Sequence, residues 1–202
     1  MKTLPDYIGR SGLWVQRQNK QQGGCWSVSG IMWNNIKERC TVGGTTQRNS
    51  PTYIGAVNAF SDFQAFVAWH QGQKGYGRGY ELDADILKNG TKIYSESTCL
   101  LIPQSLNKFI SEKTRKKVKL PQGVFLRKGR LCVEMARTHI TSLAFSEENI
   151  VVAQMIYKKS KEDKAKEWAS TLQAGAYEVD QRVVDYLDSY QFECEWKLND
   201  KS

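Results

Sequence analysis

The chain has 202 residues, 40% of them hydrophobic, which is enough apolar material for one good core or two small ones. It contains no run of about 18 apolar residues, so the sequence predicts no membrane-spanning helix. Residues 1–6 lack the apolar stretch of a signal peptide, which argues against secretion. The five cysteines are an odd number without a Cys-x-x-Cys pair, and they favour reduced thiols in the cytosol over a zinc ribbon.

The net charge of +8 is unevenly distributed along the chain. Residues 1–80 carry 9 Lys/Arg against 3 Asp/Glu, residues 81–110 carry 3 against 4, and residues 111–135 carry 8 against 2. Two basic blocks therefore flank a slightly acidic centre. This pattern is typical of a protein that holds a polyanion on both sides of a metal-binding site, and equally of a basic domain whose lysines are merely solvated.

The first 24 residues are polar, rich in Gln and punctuated by Gly. Such a composition indicates an extended arm that orders on binding, or simply a mobile terminus. Arg10 and Arg17 are spaced along this arm where they could contact phosphates. A flexible loop over residues 71–79 carries two more cations, Lys74 and Arg78, that could do the same.

Two helices are predicted between the arm and this loop. The first runs from Trp26 to Cys40, with Ser27 or Ser29 as its N-cap, and a Gly/Thr/Asn-rich loop over residues 41–51 follows it. The second has Ser61 as its N-cap, and its apolar side is aromatic. That side consists of Phe60, Phe63, Phe66, Val67 and Trp69. An aromatic stripe at this spacing is far more typical of a protein core than of a platform for stacked bases.

The chain is organised around residues 80–110, which predict the order strand, turn, strand, helix. Apolar and acidic residues alternate from Leu82 to Leu87 with the period of two of a strand, and Asn89-Gly90 suits a tight turn. A returning strand with a polar bend follows over residues 92–102. Pro103 ends this strand because proline has no N–H for a ladder, and a short helix begins after it.

A second unit follows a basic run that is typical of a linker, of a solvated helix end or of a nucleic-acid contact. Three short strands are predicted over residues 123–126, 130–135 and 139–145, and the first hairpin turns at Lys128-Gly129. Ser146 then begins a helix with an acidic first turn. We expect this helix to end at Lys158-Lys159 and further helix to cover residues 162–190.

The first half of the chain contains a set of residues whose order along the sequence is informative. It consists of Trp33, Ile36, Arg39-Cys40, a Gly-rich loop, Phe60-Ser61-Asp62-Phe63, Leu82-Asp83, Tyr94-Ser95-Glu96, Cys99, Pro103 and Asn107. This order resembles the HNH, or ββα-metal, nucleases found among homing endonucleases of bacteriophages and introns. The second unit, with Gly123-Val124, Gly129-Arg130, Phe145 and Glu148, is similar to the Apetala-type three-strand DNA-binding domain. The resemblance covers roughly residues 26–170.

The fold expected from these patterns is α+β. It comprises a ββα-metal core with flanking helices, followed by a small three-stranded antiparallel sheet and a helix. The expected organisation is a flexible arm over residues 1–24, an HNH-like core over residues 25–115 and an Apetala-like module over residues 116–202.

The resemblance implies metal-dependent hydrolysis of phosphodiesters, in which a divalent ion neutralises developing charge and a base activates water. Asp83 takes the position of a metal ligand in the family motif, and Asn107 takes the ligand position on the helix. The position of the family's catalytic base falls on Ala84, which cannot accept a proton, and the position that orients the base falls on Thr98.

Two residues are candidates to replace the missing base. Asp85 follows Asp83 by two residues, so on a strand both carboxylates lie on one face and could share a metal ion. His70 ends the preceding helix and is a candidate base, although a lone histidine is more often structural. Both aspartates could also be solubilising residues beside a turn.

The sequence therefore predicts a homing or nicking endonuclease that cuts duplex DNA with Mg²⁺ or Mn²⁺. The alternative is a catalytically inactive, DNA-binding regulatory or architectural protein, and a third possibility is a basic phage protein that binds an acidic host protein. No membrane and no small-molecule cofactor are expected, and the compartment is the cytoplasm, that of the host if a phage encodes the chain. DNA contacts are predicted for Arg10, Arg17, Lys74, Arg78, Arg115, Lys116, Lys117, Arg127, Lys128, Arg130 and Arg137.

Overall fold

The computed structural model describes residues 3–18, 24–87, 92–111 and 120–193. The chain divides into two compact units: unit 1 consists of residues 1–104 and 177–182, and unit 2 of residues 105–176 and 183–202. The predicted boundary at residues 115–116 lies outside the described residues. Helices are mixed with small sheets, one of them three-stranded and antiparallel, so the predicted α+β class is confirmed at this level.

Unit 1 combines two-stranded sheets with short helices. Its strands are β1 (Thr3–Leu4), β2 (Trp26–Ser27), β3 (Val57–Asn58), β4 (Glu81–Asp83), β5 (Ile93–Tyr94) and β6 (Leu100–Ile102). Its helices are α1 (Val28–Cys40), α2 (Thr45–Asn49) and α3 (Phe63–Gln71), with a 3₁₀ turn at Pro51–Tyr53. The pairs β1–β2 and β3–β5 are parallel, and β4–β6 is antiparallel. Helix α4 (Gln104–Ile110) begins after Pro103, as predicted.

The core of unit 1 is aromatic, and the predicted buried stripe is confirmed. Phe66 is fully buried at its centre, with ring centroids 5.5 Å from Trp33, 5.1 Å from Phe60 and 5.8 Å from Trp69. The tilted and edge-on arrangements are those that aromatic quadrupoles favour. Phe63 and Val67 are buried in the same cluster, so helix α3 supplies one wall of the core.

The capping residue was predicted correctly for helix α1 and wrongly for helix α3. Ser27 caps α1 as expected, and its hydroxyl accepts the Gly30 N–H. Helix α3 is capped by Asp62 and not by Ser61, because the Asp62 carboxylate accepts the Ala65 N–H at 2.9 Å. A carboxylate at this position satisfies an end N–H and also complements the positive end of the helix dipole.

The predicted hairpin around residue 90 is wrong in its pairing. The first strand ends at Asp83 and not at Leu87, because the Asp83 carboxylate folds over the backbone that follows it. The returning strand is broken by a turn at Ser95–Thr98, in which Thr98 Oγ1 donates to Ile93 O at 2.6 Å. Its first half, β5, therefore pairs with β3, and only its second half, β6, pairs with β4. The Asn89-Gly90 turn lies outside the described residues.

Two segments of unit 1 that were predicted to be irregular contain regular structure. The Thr/Asn-rich loop contains helix α2, whose Gln47 donates to the carbonyls of Arg39 and Tyr53. In the N-terminal segment, β1 pairs with β2 and Asp6 accepts the N–H of Ser29 at 2.9 Å. The described residues of the predicted arm thus hydrogen-bond to helix α1 and to the strand before it.

Unit 2 contains the predicted three-stranded sheet, which is confirmed. Its strands are β7 (Val124–Arg127), β8 (Arg130–Met135) and β9 (Thr138–Ala144), in the order β7-β8-β9 with antiparallel pairing. The first hairpin turns at Lys128 and Gly129, as expected, with φ angles of +49° and +75°. Positive φ at both central residues is the geometry of a type I′ turn, which matches the twist of the strands it joins.

The predicted end of the first helix at Lys158-Lys159 is wrong, whereas further helix is present up to Asp188, near the predicted end at residue 190. Helix α5 begins after the Ser146 cap but runs without a break to Gln173, and α6 covers Gln181–Asp188. Residues 147–173 contain neither Pro nor Gly, the residues that most often interrupt a helix. The basic pair that we expected to end the helix is instead ion-paired with residues one turn further along it. Lys158 and Lys159 form i,i+4 ion pairs with Glu162 and Asp163, and such pairs stabilise the helix across this point.

The first half of α5 covers one face of the sheet. Val124, Leu131 and Val133 of the sheet are buried against Ile150, Ala153 and Tyr157 of the helix. Alternate residues of each strand point the other way, so the sheet has one packed face and one open face. Among the described helices, none combines the length and the apolar character needed to cross a bilayer.

Candidate functional site

The two predicted carboxylate ligands lie in different environments in unit 1. Asp83 is buried, only 4% exposed, and its Oδ1 accepts the N–H groups of Asp85 and Ile86, both at 2.9 Å. Asp85 lies beyond the end of the strand and is exposed. The prediction that both carboxylates lie on one strand face is wrong, because the strand ends at Asp83 and the chain turns over that side chain.

A metal site built on these carboxylates stays a prediction. Within the described residues, no group of three His, Cys, Asp or Glu side chains is close enough together to hold a metal ion. One oxygen of Asp83 already accepts two backbone N–H groups, and Asn107, the third predicted ligand, lies on α4 in the part of that helix that belongs to unit 2.

The candidate base His70 is the buried end of a partly buried polar network. Its Nδ1 lies 2.6 Å from Ser29 Oγ, and Ser29 Oγ in turn donates to Asp6 Oδ2. Tyr76 Oη donates to the same carboxylate oxygen at 2.7 Å. Because a carboxylate only accepts, the order of donation assigns the Nδ1–H tautomer to His70. His70 is 0% exposed and its Nε2 has no hydrogen-bond partner among the described residues.

This network holds its groups in fixed protonation states. Burial lowers the pKa of His70 to about 4, against the opposing charge of Asp6. Burial would raise the pKa of Asp6, but hydrogen bonds from Ser29 and Tyr76 outweigh it and keep that pKa below its usual value. Burial and the bond to Asp6 raise the pKa of Tyr76 to about 12. At neutral pH the network therefore contains one carboxylate, a neutral imidazole and a neutral phenol.

The network is not arranged as a nucleophile and its base. The Ser29 hydroxyl donates a hydrogen bond to Asp6 and accepts one from His70, whereas the hydroxyl of an activated serine donates its hydrogen bond to the histidine. For His70 to act as a base, the packing around it would have to open, because His70 and Ser29 are both 0% exposed. Asp6 and Tyr76 were not singled out from the sequence, and Ser29 only as a candidate N-cap, because no spacing pattern connects residues so far apart in the chain.

The predicted DNA contacts of unit 1 are exposed, and some of them are already engaged. Arg17 donates to Gly24 O at 2.8 Å and lies over the Trp26 ring, and Arg78 pairs with Glu178 at 2.9 Å. Arg10 and Lys74 are also exposed. Arg115, Lys116 and Lys117 lie outside the described residues.

The open face of the sheet in unit 2 carries the other predicted contacts. The cross-strand pairs Arg127↔Arg130 and Phe125↔Cys132 place these side chains on the face opposite to α5, as the buried Leu131 and Val133 alternate with them. Glu134 lies on the same face, and its carboxylate binds both terminal nitrogens of Arg127. Arg130 also donates to the backbone carbonyl of Ser142 on β9.

The turns at the ends of this sheet add two more cations. Lys128 and Arg137 both have positive φ and are exposed. Residues 124–144 thus contain four Arg/Lys and a single carboxylate, that of Glu134. We refer to Arg127, Lys128, Arg130 and Arg137, with the open side of the strands between them, as the basic face.

Comparison with known proteins identifies no relative of this chain. No protein-family model matches it, no curated protein matches its sequence, and no solved structure matches it.

Proposed function

We propose that the chain is a DNA-binding protein that holds duplex DNA against the basic face of its three-stranded sheet. The observation that carries this proposal is the contrast between the two sides of the sheet. One side is packed against α5, and the other carries Arg127 and Arg130 with a single carboxylate, Glu134, which is itself bound to Arg127. Lys128 and Arg137 are exposed at the turns that end the strands.

The shape of the sheet supports this function. The major groove of B-DNA is about 12 Å wide and accepts a two-stranded ribbon or a helix, and such elements contact base edges while flanking cations contact phosphates. The tight Lys128-Gly129 turn makes β7 and β8 a compact ribbon with a cation at its tip. Arg127 and Arg130 follow that tip on the open side, where their donors can reach either phosphates or base edges.

The test is duplex binding measured by fluorescence anisotropy over a salt series. Neutralising Arg130 or Lys128 to Ala should weaken binding and should reduce the slope of log affinity against log salt by about 1 for each phosphate that is no longer bound. Lys159→Ala is the matched control, because Lys159 is exposed on α5, which covers the opposite face of the sheet. Affinity that does not change with salt, or an equal weakening in the control, would reject the proposal.

The involvement of the candidate site in other contacts favours the non-catalytic form of this function. Asp83 stabilises the turn after β4, and His70 is enclosed with Ser29, so neither group is presented to a substrate. A regulatory or architectural role requires only the basic face.

The endonuclease is the second candidate, and the order of elements favours it. An antiparallel pair, β4 and β6, is followed directly in the chain by helix α4, which is the ββα order of HNH enzymes. Incubating supercoiled plasmid with Mg²⁺ or Mn²⁺ tests it. Nicking that disappears in Asp85→Asn, a change at an exposed position, supports the enzyme, and DNA binding without nicks in either metal rejects it.

A further inference from the structure

We propose that Arg39, Tyr53 and Tyr94 form a phosphate-binding site in unit 1, built from residues that are not part of the basic face. The guanidinium of Arg39 lies over both aromatic rings, 5.1 Å from the centroid of Tyr53 and 5.9 Å from that of Tyr94. Arg39 is partly buried, so its cation has given up part of its water for these two ring faces.

The Arg39 guanidinium forms fewer hydrogen bonds within the described residues than its N–H groups allow. Its one hydrogen bond within the described residues is a long one, from Nη1 to Tyr94 Oη at 3.4 Å. None of the described carboxylates forms an ion pair with it, in contrast to Arg78, Arg127 and Arg182. Arginine carries five N–H groups in a rigid fork that fits the oxygens of a phosphate or a carboxylate. An anion at this position would complete the contacts that the protein leaves open.

The position of Arg39 in its helix does not by itself explain this arrangement. A cation in the last turn of a helix often caps the final carbonyls. Here the Arg39 carbonyl is bound by another residue, since Gln47 Nε2 donates to it at 3.0 Å. The guanidinium is therefore directed at the tyrosine rings and not at the end of α1.

The site is held in place by buried groups. Gln47, only 5% exposed, also donates to Tyr53 O at 3.2 Å, so one amide fixes the backbone of two members of the site. Tyr94, only 6% exposed, is fixed by β5, which pairs with β3. A preorganised arginine loses less entropy on binding an anion than a free surface side chain would.

A phosphate suits the donors better than a planar carboxylate. Tyr94 accepts from Arg39, and its own O–H has no acceptor among the described residues, so it can donate to a ligand from a second direction. Burial raises the pKa of Tyr94 to about 12, which keeps that proton in place at neutral pH. The tetrahedral oxygens of a phosphate accept from a guanidinium and a phenol in different planes, and the basic excess of residues 1–80 favours an anion.

The negative charge of Asp85 can be used to test whether this site binds an anion. Its carboxylate acts electrostatically on both Arg39 and Tyr94. Removing its charge in Asp85→Asn should therefore raise the affinity for a bound phosphate, whereas a role for Asp85 in holding the ligand would make the same change lower it.

The experiment is a titration of the full chain with inorganic phosphate, with pyrophosphate and with a short DNA duplex. Arg39→Gln should lower the affinity at least about tenfold, the scale expected for a charged hydrogen bond. Arg48→Gln is the matched control, because Arg48 is an exposed arginine of unit 1 whose hydrogen bonds within the described part of the chain go to Gly43 O and Thr45 Oγ1. Arg39→Lys should also weaken binding, because an ammonium keeps the charge but not the fork.

The arms of the experiment identify the source of the phosphate. Binding of the two free anions that depends on Arg39 indicates a small phosphate compound, and an effect on the duplex alone indicates a backbone phosphate. Equal affinities of Arg39→Gln and Arg48→Gln for all three ligands overturn the site, and acetate binding as tightly as phosphate overturns the ligand class. If Arg39→Gln fails to fold, Tyr94→Phe, which removes only the hydroxyl, should still weaken binding. Sheet variants such as Arg130→Ala should leave the titrations with inorganic phosphate and pyrophosphate unchanged, which separates the failure of this site from that of the DNA-binding proposal.

Discussion

His70 Nδ1 lies 2.6 Å from Ser29 Oγ at a point where both residues are 0% exposed. The imidazole also lies against the ring of Phe66, with centroids 5.4 Å apart, and meets Tyr76 edge-on. A histidine enclosed by two aromatic rings and a hydroxyl cannot be hydrated when it takes up a proton. Its protonation is therefore coupled to the integrity of unit 1.

The pH dependence of stability should show this coupling. Burial lowers the pKa of His70 from 6.5 to about 4, so between these values the unfolded chain binds a proton that the folded chain does not. Stability should therefore fall as the pH decreases from 6.5 towards 4, by up to about 1.4 kcal/mol per pH unit. Urea unfolding at a series of pH values measures it. His70→Gln should flatten the dependence in this window, whereas His139→Gln, at an exposed position, should leave it unchanged.

Removing the charge on Asp6 should destabilise unit 1 at neutral pH. Its carboxylate accepts from the Ser29 backbone, the Ser29 hydroxyl and Tyr76, and an amide cannot accept all of these bonds. Asp6→Asn should cost about 1–3 kcal/mol of unfolding free energy. The control is Asp163→Asn, which removes only an exposed i,i+4 pair with Lys159, worth about 0.3–0.5 kcal/mol. Equal destabilisation of the two variants would show that the network contributes no more than a surface pair.

Two glycines of unit 2 separate the effects of backbone conformation and of packing. Gly123 and Gly129 both have φ of +75°, but a Cβ on Gly123 would lie 2.0 Å from the Tyr157 ring, and one on Gly129 would meet nothing within 4 Å. Gly129→Ala should cost about 1–2 kcal/mol for the left-handed backbone alone. Gly123→Ala should cost more, because the added Cβ would overlap the ring of Tyr157, which is fully buried. The difference between the two unfolding midpoints measures the packing contribution.

Glu134 should restrain the basic face. It binds Arg127 through both carboxylate oxygens, at 2.5 and 3.0 Å, and is the one carboxylate in residues 124–144. Glu134→Gln should release Arg127 and remove a negative charge, so duplex affinity should rise and the salt slope should steepen by about 1 between about 50 and 200 mM salt. Glu167→Gln, on the later part of α5, serves as the control for a general change of net charge. Unchanged binding in Glu134→Gln would place the DNA elsewhere.

The sequence predicts those features that depend on local patterns. The aromatic stripe of α3, the Ser27 and Ser146 caps, the Lys128-Gly129 turn and the three strands of unit 2 all follow from neighbouring residues. Strand pairing in unit 1 does not, because the turn at residues 95–98 and the partner strand β3 together decide where β5 pairs. Short strands of two or three residues carry too little pattern to specify a partner.

The candidate site shows the same limit. The sequence singles out Asp83, which is buried, but its bonds to the next two backbone N–H groups depend on the chain turning after β4. The association of Asp6 with Ser29 and His70 joins three separate segments, and the stacking of Arg39 on Tyr53 and Tyr94 joins three more. Such groupings arise from tertiary packing, and no periodicity in one sequence encodes them.

The parallel pairing of β1 with β2 has a practical consequence for anyone who shortens this protein. Strand β1 and Asp6 come before every helix, yet they bind the residues that begin α1. A version beginning at residue 24 would remove the only anion that the buried hydroxyl of Ser29 contacts among the described residues, and would uncover the first strand of the sheet beside it. Such fragments should aggregate or melt early, and a purification handle is better joined by a long spacer than fused directly to the first residues.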